Sequence, residues 1–115
     1  MTAIYTLRRQ KATATGYPAS SSKRPRFLVQ AGSTAMRNGS PKIKRKRWLT
    51  TELVGKGILV PDHTNKDLYR FSQDYEFTSA TAAGDVINDG NLSAPQYWIN
   101  TTTGKSLKEE LAKSP

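Results

Sequence analysis

Residues 40–60 have the sequence SPKIKRKRWLTTELVGKGILV, and this stretch carries the strongest signals for the fold. Ser40 followed by Pro41 marks a helix start, because serine caps free backbone amides and proline fits the first helical position. The apolar residues that follow have helical spacing. The stretch therefore predicts a helix over 41–54 followed by a buried strand over 58–61.

The predicted helix has an apolar face and an opposite, basic face. At about 100° per residue, the side chains expected to face the core are Ile43, Leu49, Thr50, Leu53 and Val54. Trp48 falls roughly opposite this stripe. Glycine tolerates the left-handed conformation that commonly ends a helix, so we expect the helix to end at Gly55 or Gly57.

The rest of the chain alternates short strand patterns with two further helix patterns. Apolar and β-branched runs predict strands over 3–8, 26–31, 68–72 and 97–99. Helical spacing predicts helices over 79–88 and 106–112. Residues 11–25, rich in Thr, Ala, Ser, Gly and Pro, predict a flexible loop.

These elements predict an α+β fold, in which about three helices pack on a small, mostly antiparallel sheet. The length of 115 residues suits a single small basic domain over 1–115. We expect hairpins between strands 3–8 and 26–31 and between strands 58–61 and 68–72. Tyr97 and Trp98 alternate in direction, so one should be buried and the other half exposed.

The charge is concentrated in the first half of the chain. The net charge is +9, and residues 1–51 hold twelve of the eighteen Lys and Arg and no Asp or Glu. Residues 52–115 hold six bases and nine acids. Such asymmetry favours a polyanionic partner, either nucleic acid, with DNA favoured over RNA, or an acidic protein surface.

Composition argues against several other functions. The chain has no cysteine and one histidine, His63, so we expect neither a metal site nor a cofactor. His63 lies in a turn sequence without an oriented partner, and the carboxylates lack nuclease or metal-loop spacing. We therefore expect no enzyme activity. No apolar run approaches the ~20 residues of a membrane span, which predicts a cytoplasmic protein that does not contact membranes.

The basic run before Trp48 is the sharpest chemical feature. Its cations occupy the first two turns of the predicted helix, at the positive end of the helix dipole, where a bound phosphate would relieve their repulsion. The residues expected to make the main contacts are Lys42, Lys44, Arg45, Lys46 and Arg47, supported by Lys23, Arg24 and Arg26. The alternative is a solvated face without a ligand.

Trp48, beside this run, has two interpretations. Its ring could stack on an unpaired base of the partner. It could instead cover the far edge of the core beneath the N-terminal strands, and we favour this packing role.

The order of motifs resembles a bacterial family, domain of unknown function 4357, which is similar to the methylase-associated RAMA domain. The matching segments are FLV (27–29), GSTA (32–35), Leu49, ELV (52–54), GILV (57–60), Phe71, DY (74–75), Phe77, SATAA (79–83), Trp98 and GKSL (104–107). The family occurs with nucleases and restriction-modification systems. The resemblance implies a nucleic-acid-associated accessory domain without assigned catalytic residues.

Sequence alone thus predicts a non-catalytic accessory domain that binds nucleic acid through a basic helix N-terminus. A second hypothesis remains open. The chain could be a protein-binding adaptor or inhibitor in phage and host defence, with its basic face docked on an acidic protein surface.

Overall fold

The structure, a computed structural model, describes residues 3–20, 25–37, 48–90 and 92–112. These ranges form two antiparallel sheets and three helices, which confirms the predicted α+β class, although with two sheets rather than one. The elements in chain order are β1 (Tyr5–Arg9), β2 (Ala12–Pro18), β3 (Phe27–Val29), β4 (Thr34–Met36), α1 (Trp48–Gly55), β5 (Leu59–Pro61), β6 (Leu68–Phe71), β7 (Tyr75–Phe77), α2 (Ala80–Asn88), β8 (Ile99–Asn100) and α3 (Leu107–Ala112).

The larger sheet has the strand order β7-β3-β2-β1-β8, and the smaller one has the order β4-β6-β5. In β1 to β3, burial alternates from residue to residue, so one face of the larger sheet is buried and the other is open. β5 and β6 form the hairpin predicted for the 58–72 region.

The loop prediction for 11–25 is wrong over most of its length, because residues 12–18 form β2 at the centre of the larger sheet. Ala12, Ala14 and Gly16 point inward, and their small size resembles loop composition although they are core positions. A Cβ at Gly16 would lie 2.3 Å from the Leu28 carbonyl oxygen, so this position requires glycine. Residues 21–24 lie outside the described ranges.

The predicted pairing of the first two strands is also wrong. β1 pairs with β2, and β3 pairs with β2 on its other side and with β7. In the β1–β2 turn, Gln10 has φ 51, a left-handed conformation that glycine usually adopts. Because glutamine occupies this position, the sequence did not mark the turn. β7, between two predicted elements, was missed.

Helix α1 begins at Trp48 among the described residues, and residues 41–47 of the predicted helix lie outside them. Its end is confirmed: Gly57 has φ +74, its N–H donates to the Val54 carbonyl at 3.1 Å, and the Ile58 N–H donates to the Leu53 carbonyl at 2.9 Å. This pair of hydrogen bonds is a Schellman motif. Leu53 is fully buried, whereas Val54, predicted to face the core, is 38% exposed.

The other two helices begin at hydroxyl caps. The Ser79 Oγ accepts the Ala82 N–H at 3.0 Å, and Ala83, Val86 and Ile87 on the inner face of α2 are all buried. At α3, the Ser106 Oγ accepts the Glu109 N–H at 3.1 Å while the Glu109 carboxylate accepts the Ser106 N–H. This reciprocal arrangement is a capping box, so both predicted starts are confirmed.

The core is centred on Trp98, which is fully buried. Its ring centroid lies 4.3 Å from that of Phe27, and its indole N–H donates to the Ala80 carbonyl at 3.2 Å. Gly84 of α2 approaches Ala94 so closely that an added Cβ would lie 2.3 Å from the Ala94 Cβ. Ala94 opens a short 3₁₀ turn, Ala94–Gln96, that leads into Trp98.

Candidate functional site

Two of the nine predicted contact residues, Arg26 and Trp48, fall within the described ranges. The other seven lie outside them, and these are Lys23, Arg24, Lys42, Lys44, Arg45, Lys46 and Arg47.

Arg26 immediately precedes β3 and is exposed. Its Nη1 donates to the Glu76 carboxylate on β7 at 2.9 Å, so its charge already has a partner on the protein. The Arg26 N–H also donates to the Ser20 Oγ at 3.0 Å, and its carbonyl accepts the Ala19 N–H at 2.6 Å. Arg26 thus ties together the two ends of the chain around residues 21–24.

Trp48 is 65% exposed at the first residue of α1. The prediction that it packs on the core is wrong. The physical reason lies in the helix: Trp48 is five positions before the fully buried Leu53, which places the two side chains roughly 140° apart. An indole ring directly after the basic run is therefore accessible to a partner.

The described part of the chain is nearly neutral. It contains ten Lys and Arg against nine Asp and Glu, a net charge of +1. The other eight Lys and Arg belong to 21–24, 38–47 and 113–115. Three of the ten described cations, Lys11, Arg26 and Lys56, form ion pairs with carboxylates. The excess positive charge thus belongs to these three short segments rather than to the described ranges.

The described residues that flank the two longer basic segments lie near opposite ends of β2. Residues 21–24 follow Pro18, the last residue of that strand. Residues 38–47 follow Arg37, whose N–H donates to the Asp67 carbonyl at 3.0 Å. The Asp67 carboxylate pairs with Lys11, which precedes β2, at 3.2 Å. A strand of seven residues, such as β2, spans roughly 20 Å.

A cavity that the sequence did not predict lies at the edge of the larger sheet where β8 adjoins β1. Its volume is about 620 Å³, and its lining residues are Thr6, Arg8, Gln96, Tyr97, Ile99, Asn100, Thr101 and Gly104. These residues come from β1 and from 96–104, which are far apart in the sequence. The one local signal for this cavity was Arg8, a charged residue on the face of β1 opposite the apolar Tyr5 and Leu7.

A second cavity, of about 480 Å³, lies between the start of α2 and α3. Its lining residues are Pro25, Ser79, Ala80, Thr81, Pro95, Leu107 and Leu111. No charged side chain is among these described lining residues. The first cavity therefore offers more to a charged ligand.

Among the described residues, two ionisable groups have pKa values shifted by their surroundings. Burial, followed by the adjacent Glu110 carboxylate, raises the pKa of the Tyr5 hydroxyl, which donates to Glu110 at 3.2 Å. A hydrogen bond from the Thr64 hydroxyl lowers the pKa of Asp62, which also accepts the Asn65 N–H. Both arrangements stabilise local structure: the first joins β1 to α3, and the second orders the β5–β6 turn.

Two other features are absent from the described ranges, a metal site and a membrane-spanning helix. No group of three or more histidine, aspartate and glutamate side chains there is placed to hold a metal ion. Within the same residues, none of the helices combines the length and apolar character needed to cross a membrane.

Comparison with known protein families gives one match. Residues 5–111 match the family model described as "Domain of unknown function (DUF4357)". Neither the curated proteins nor the solved structures contain a match to this chain.

Proposed function

Since the chain belongs to the DUF4357 family, whose description names no activity, we propose from its own residues that it is a non-catalytic nucleic-acid-binding accessory domain. It contacts phosphates through the basic run of 42–47 and works in the cytoplasm, in association with other proteins that act on DNA. The observation that carries the proposal is the exposure of Trp48, 65% accessible, directly after that run.

The chemistry of the basic run and of the adjacent Trp48 supports this role. Lysine and arginine neutralise phosphates without regard to sequence, and an exposed indole stacks on unpaired bases for ~1–3 kcal/mol per base. The cations and the ring are contiguous in the sequence, so one stretch of nucleic acid can meet both. The described ranges, with a net charge of +1, would add little to this attraction.

The number of cations in the run sets the expected salt dependence. Five phosphate contacts give a slope of log K against log salt of roughly −4.5 for duplex DNA and roughly −3.5 for single strands. The stacking contribution of Trp48 favours single-stranded or distorted DNA over intact duplex, because stacked bases in a duplex have no free face.

Fluorescence anisotropy with labelled single-stranded and duplex DNA and RNA, at two salt concentrations, tests the proposal. The test variant carries K44E, R45E, K46E and R47E. The matched control carries K56E, K66E, K105E and K108E, which change the net charge equally at four exposed lysines. We expect the first variant to lose binding and the control to retain most of it.

Two outcomes would overturn the proposal. Equal loss in both variants would mean that net charge alone attracts the nucleic acid. Absence of binding at low salt would leave an acidic protein surface as the partner of the basic run.

A further inference from the structure

The cavity beside β8 contains one cation, Arg8, that has no ion-pair partner among the described residues. Arg8 is exposed on the open face of β1, and within the described ranges it forms no ion pair. No carboxylate is among the cavity's lining residues. An arginine in this situation is available to a phosphate or carboxylate, which it can bind through two parallel hydrogen bonds.

The aromatic ring of Tyr97 lines the same cavity and packs against the Arg9 guanidinium. Tyr97 is 39% exposed, and the Arg9 guanidinium lies 5.1 Å from its ring centroid. The Arg9 Nε in turn donates to the Asn88 Oδ1 of α2 at 3.1 Å. Because Arg8 and Arg9 point to opposite sides of β1, Arg9 packs on the ring while Arg8 keeps its charge without a carboxylate partner in the described part of the chain.

The main chain of β1 also opens onto this side. The Thr101 N–H donates to the Ile4 carbonyl at 2.9 Å, and Thr6 is paired with Ile99. Hydrogen-bonded positions alternate along an antiparallel ladder, so the next such position after Thr6 is Arg8. Since β8 begins at Ile99, Arg8 has no β8 partner, and its backbone groups face outward next to its side chain.

We propose that this cavity binds one unpaired nucleotide, with the phosphate on Arg8 and the base against Tyr97 and Ile99. The volume of about 620 Å³ falls within the ~300–1,000 Å³ range of small-ligand sites. A free cation favours an anion, and a rigid ring beside the 36%-exposed Ile99 favours a flat, partly apolar group. A nucleotide combines both, and the Gln96 amide and the Thr6 hydroxyl offer hydrogen bonds to its polar edges.

This site shares no residue with 42–48, so it does not depend on the function proposed for the basic run. The nucleotide can come from two sources with the same chemistry, a free mononucleotide or an exposed position in a nucleic-acid strand. If both sites are correct, the protein combines a charge contact with a pocket for an unpaired base.

Isothermal titration calorimetry with adenosine 5′-monophosphate, cytidine 5′-monophosphate and a single-stranded trinucleotide tests the site in the intact protein. We expect saturable binding of at least one probe, weakened at least about tenfold by Arg8→Gln, because a charge-assisted hydrogen bond is lost. Adenosine without the phosphate should bind as weakly to the native protein as the monophosphate does to the variant.

Two further variants separate the contribution of the Tyr97 ring to binding from the contribution of its hydroxyl. Tyr97→Phe should retain binding and Tyr97→Ala should lose it, with circular dichroism used to confirm that both are folded. Lys66→Ala, at an exposed lysine outside the cavity lining, is the matched control and should bind normally. The K44E, R45E, K46E and R47E variant should also bind the mononucleotide normally, which distinguishes failure of this site from failure of the basic run.

The choice of probe identifies the source. Binding of a monophosphate alone indicates a free nucleotide, and tighter binding of the trinucleotide indicates a strand. The proposal is overturned if no probe binds saturably, or if Arg8→Gln binds every probe as the native protein does.

Discussion

The two tryptophans of this chain occupy opposite environments. Trp98 is fully buried against Phe27, and its indole N–H is bonded to the Ala80 carbonyl. Trp48 is 65% exposed at the start of α1. One residue type therefore supplies stability in one region and an accessible surface in the other. The difference indicates that the region around Trp98 maintains the fold, while the start of α1 is open to a partner.

Local sequence explains why the two positions differ. Trp98 follows a 3₁₀ turn whose Ala94 carbonyl accepts the N–H groups of Tyr97, at 2.8 Å, and Trp98, at 3.0 Å, which turns the chain into the core. Trp48 shares a helix with Leu53, and burying the leucine turns the indole outward. Substitutions in the two regions should therefore have very different effects.

The largest effect is expected from Trp98→Ala. Removing a fully buried tryptophan leaves a cavity and removes the hydrogen bond from its indole N–H to the Ala80 carbonyl, so we expect the free energy of unfolding to fall by about 3–5 kcal/mol. Urea denaturation followed by circular dichroism measures the change. Trp98→Phe, which keeps an aromatic ring but lacks the N–H, should cost less. A loss below about 1 kcal/mol in Trp98→Ala would contradict the central position of this residue in the core.

The next effect compares two helical glycines. A Cβ at Gly84 would lie 2.3 Å from the Ala94 Cβ, so Gly84→Ala should destabilise the protein by about 1–3 kcal/mol through overpacking beside the Trp98 turn. A Cβ at Gly55, in α1, would meet nothing within 4 Å, so Gly55→Ala should be neutral or stabilise by up to about 1 kcal/mol. Thermal unfolding of both variants tests the contrast, and equal changes of the same sign would refute it.

The regions that local signals specify were predictable from the sequence. The glycine stop of α1, the hydroxyl caps of α2 and α3 and the β5–β6 hairpin all depend on residues within a few positions of one another. The prediction that one of Tyr97 and Trp98 is buried and the other half exposed is confirmed, but both residues precede β8, so the 3₁₀ turn rather than strand alternation directs Trp98 into the core.

The errors arose where distant residues decide the structure. β2 consists of small residues that resemble a loop until β1 and β3 pair on either side of it. The packing prediction for Trp48 was wrong because it required the N-terminal strands to cover the side of α1 opposite Leu53, whereas the indole on that side is 65% exposed. The cavity of Arg8 and Tyr97 was missed because its walls are about ninety positions apart in the sequence.

A smaller effect, on pH dependence, should arise beside the Trp98 core. Tyr5 packs edge-on against Phe27, and its pKa is raised by burial and by Glu110. The folded state therefore holds this proton more tightly than the unfolded chain. The resulting stability is fully present below the unfolded pKa of about 10 and is lost as pH rises through the folded value. Urea denaturation at pH values from about 7 to 11 should show a steeper loss in the native protein than in Tyr5→Phe. Parallel curves would contradict this coupling.

The smallest effect on stability is expected from Trp48→Phe, within about 0.5 kcal/mol, because the indole is largely in solvent. This variant retains only Trp98, whose emission should be blue-shifted and insensitive to iodide. Trp98→Phe, if folded, retains only Trp48, whose emission should be quenched by iodide and also by single-stranded DNA stacking on the ring. If DNA binds this second variant without changing its emission, the contact is made by the basic run alone and Trp48 does not stack. If single-stranded DNA quenches the emission and duplex DNA does not, the exposed Trp48 stacks on unpaired bases. Trp98 cannot report this distinction, because it is buried in the core.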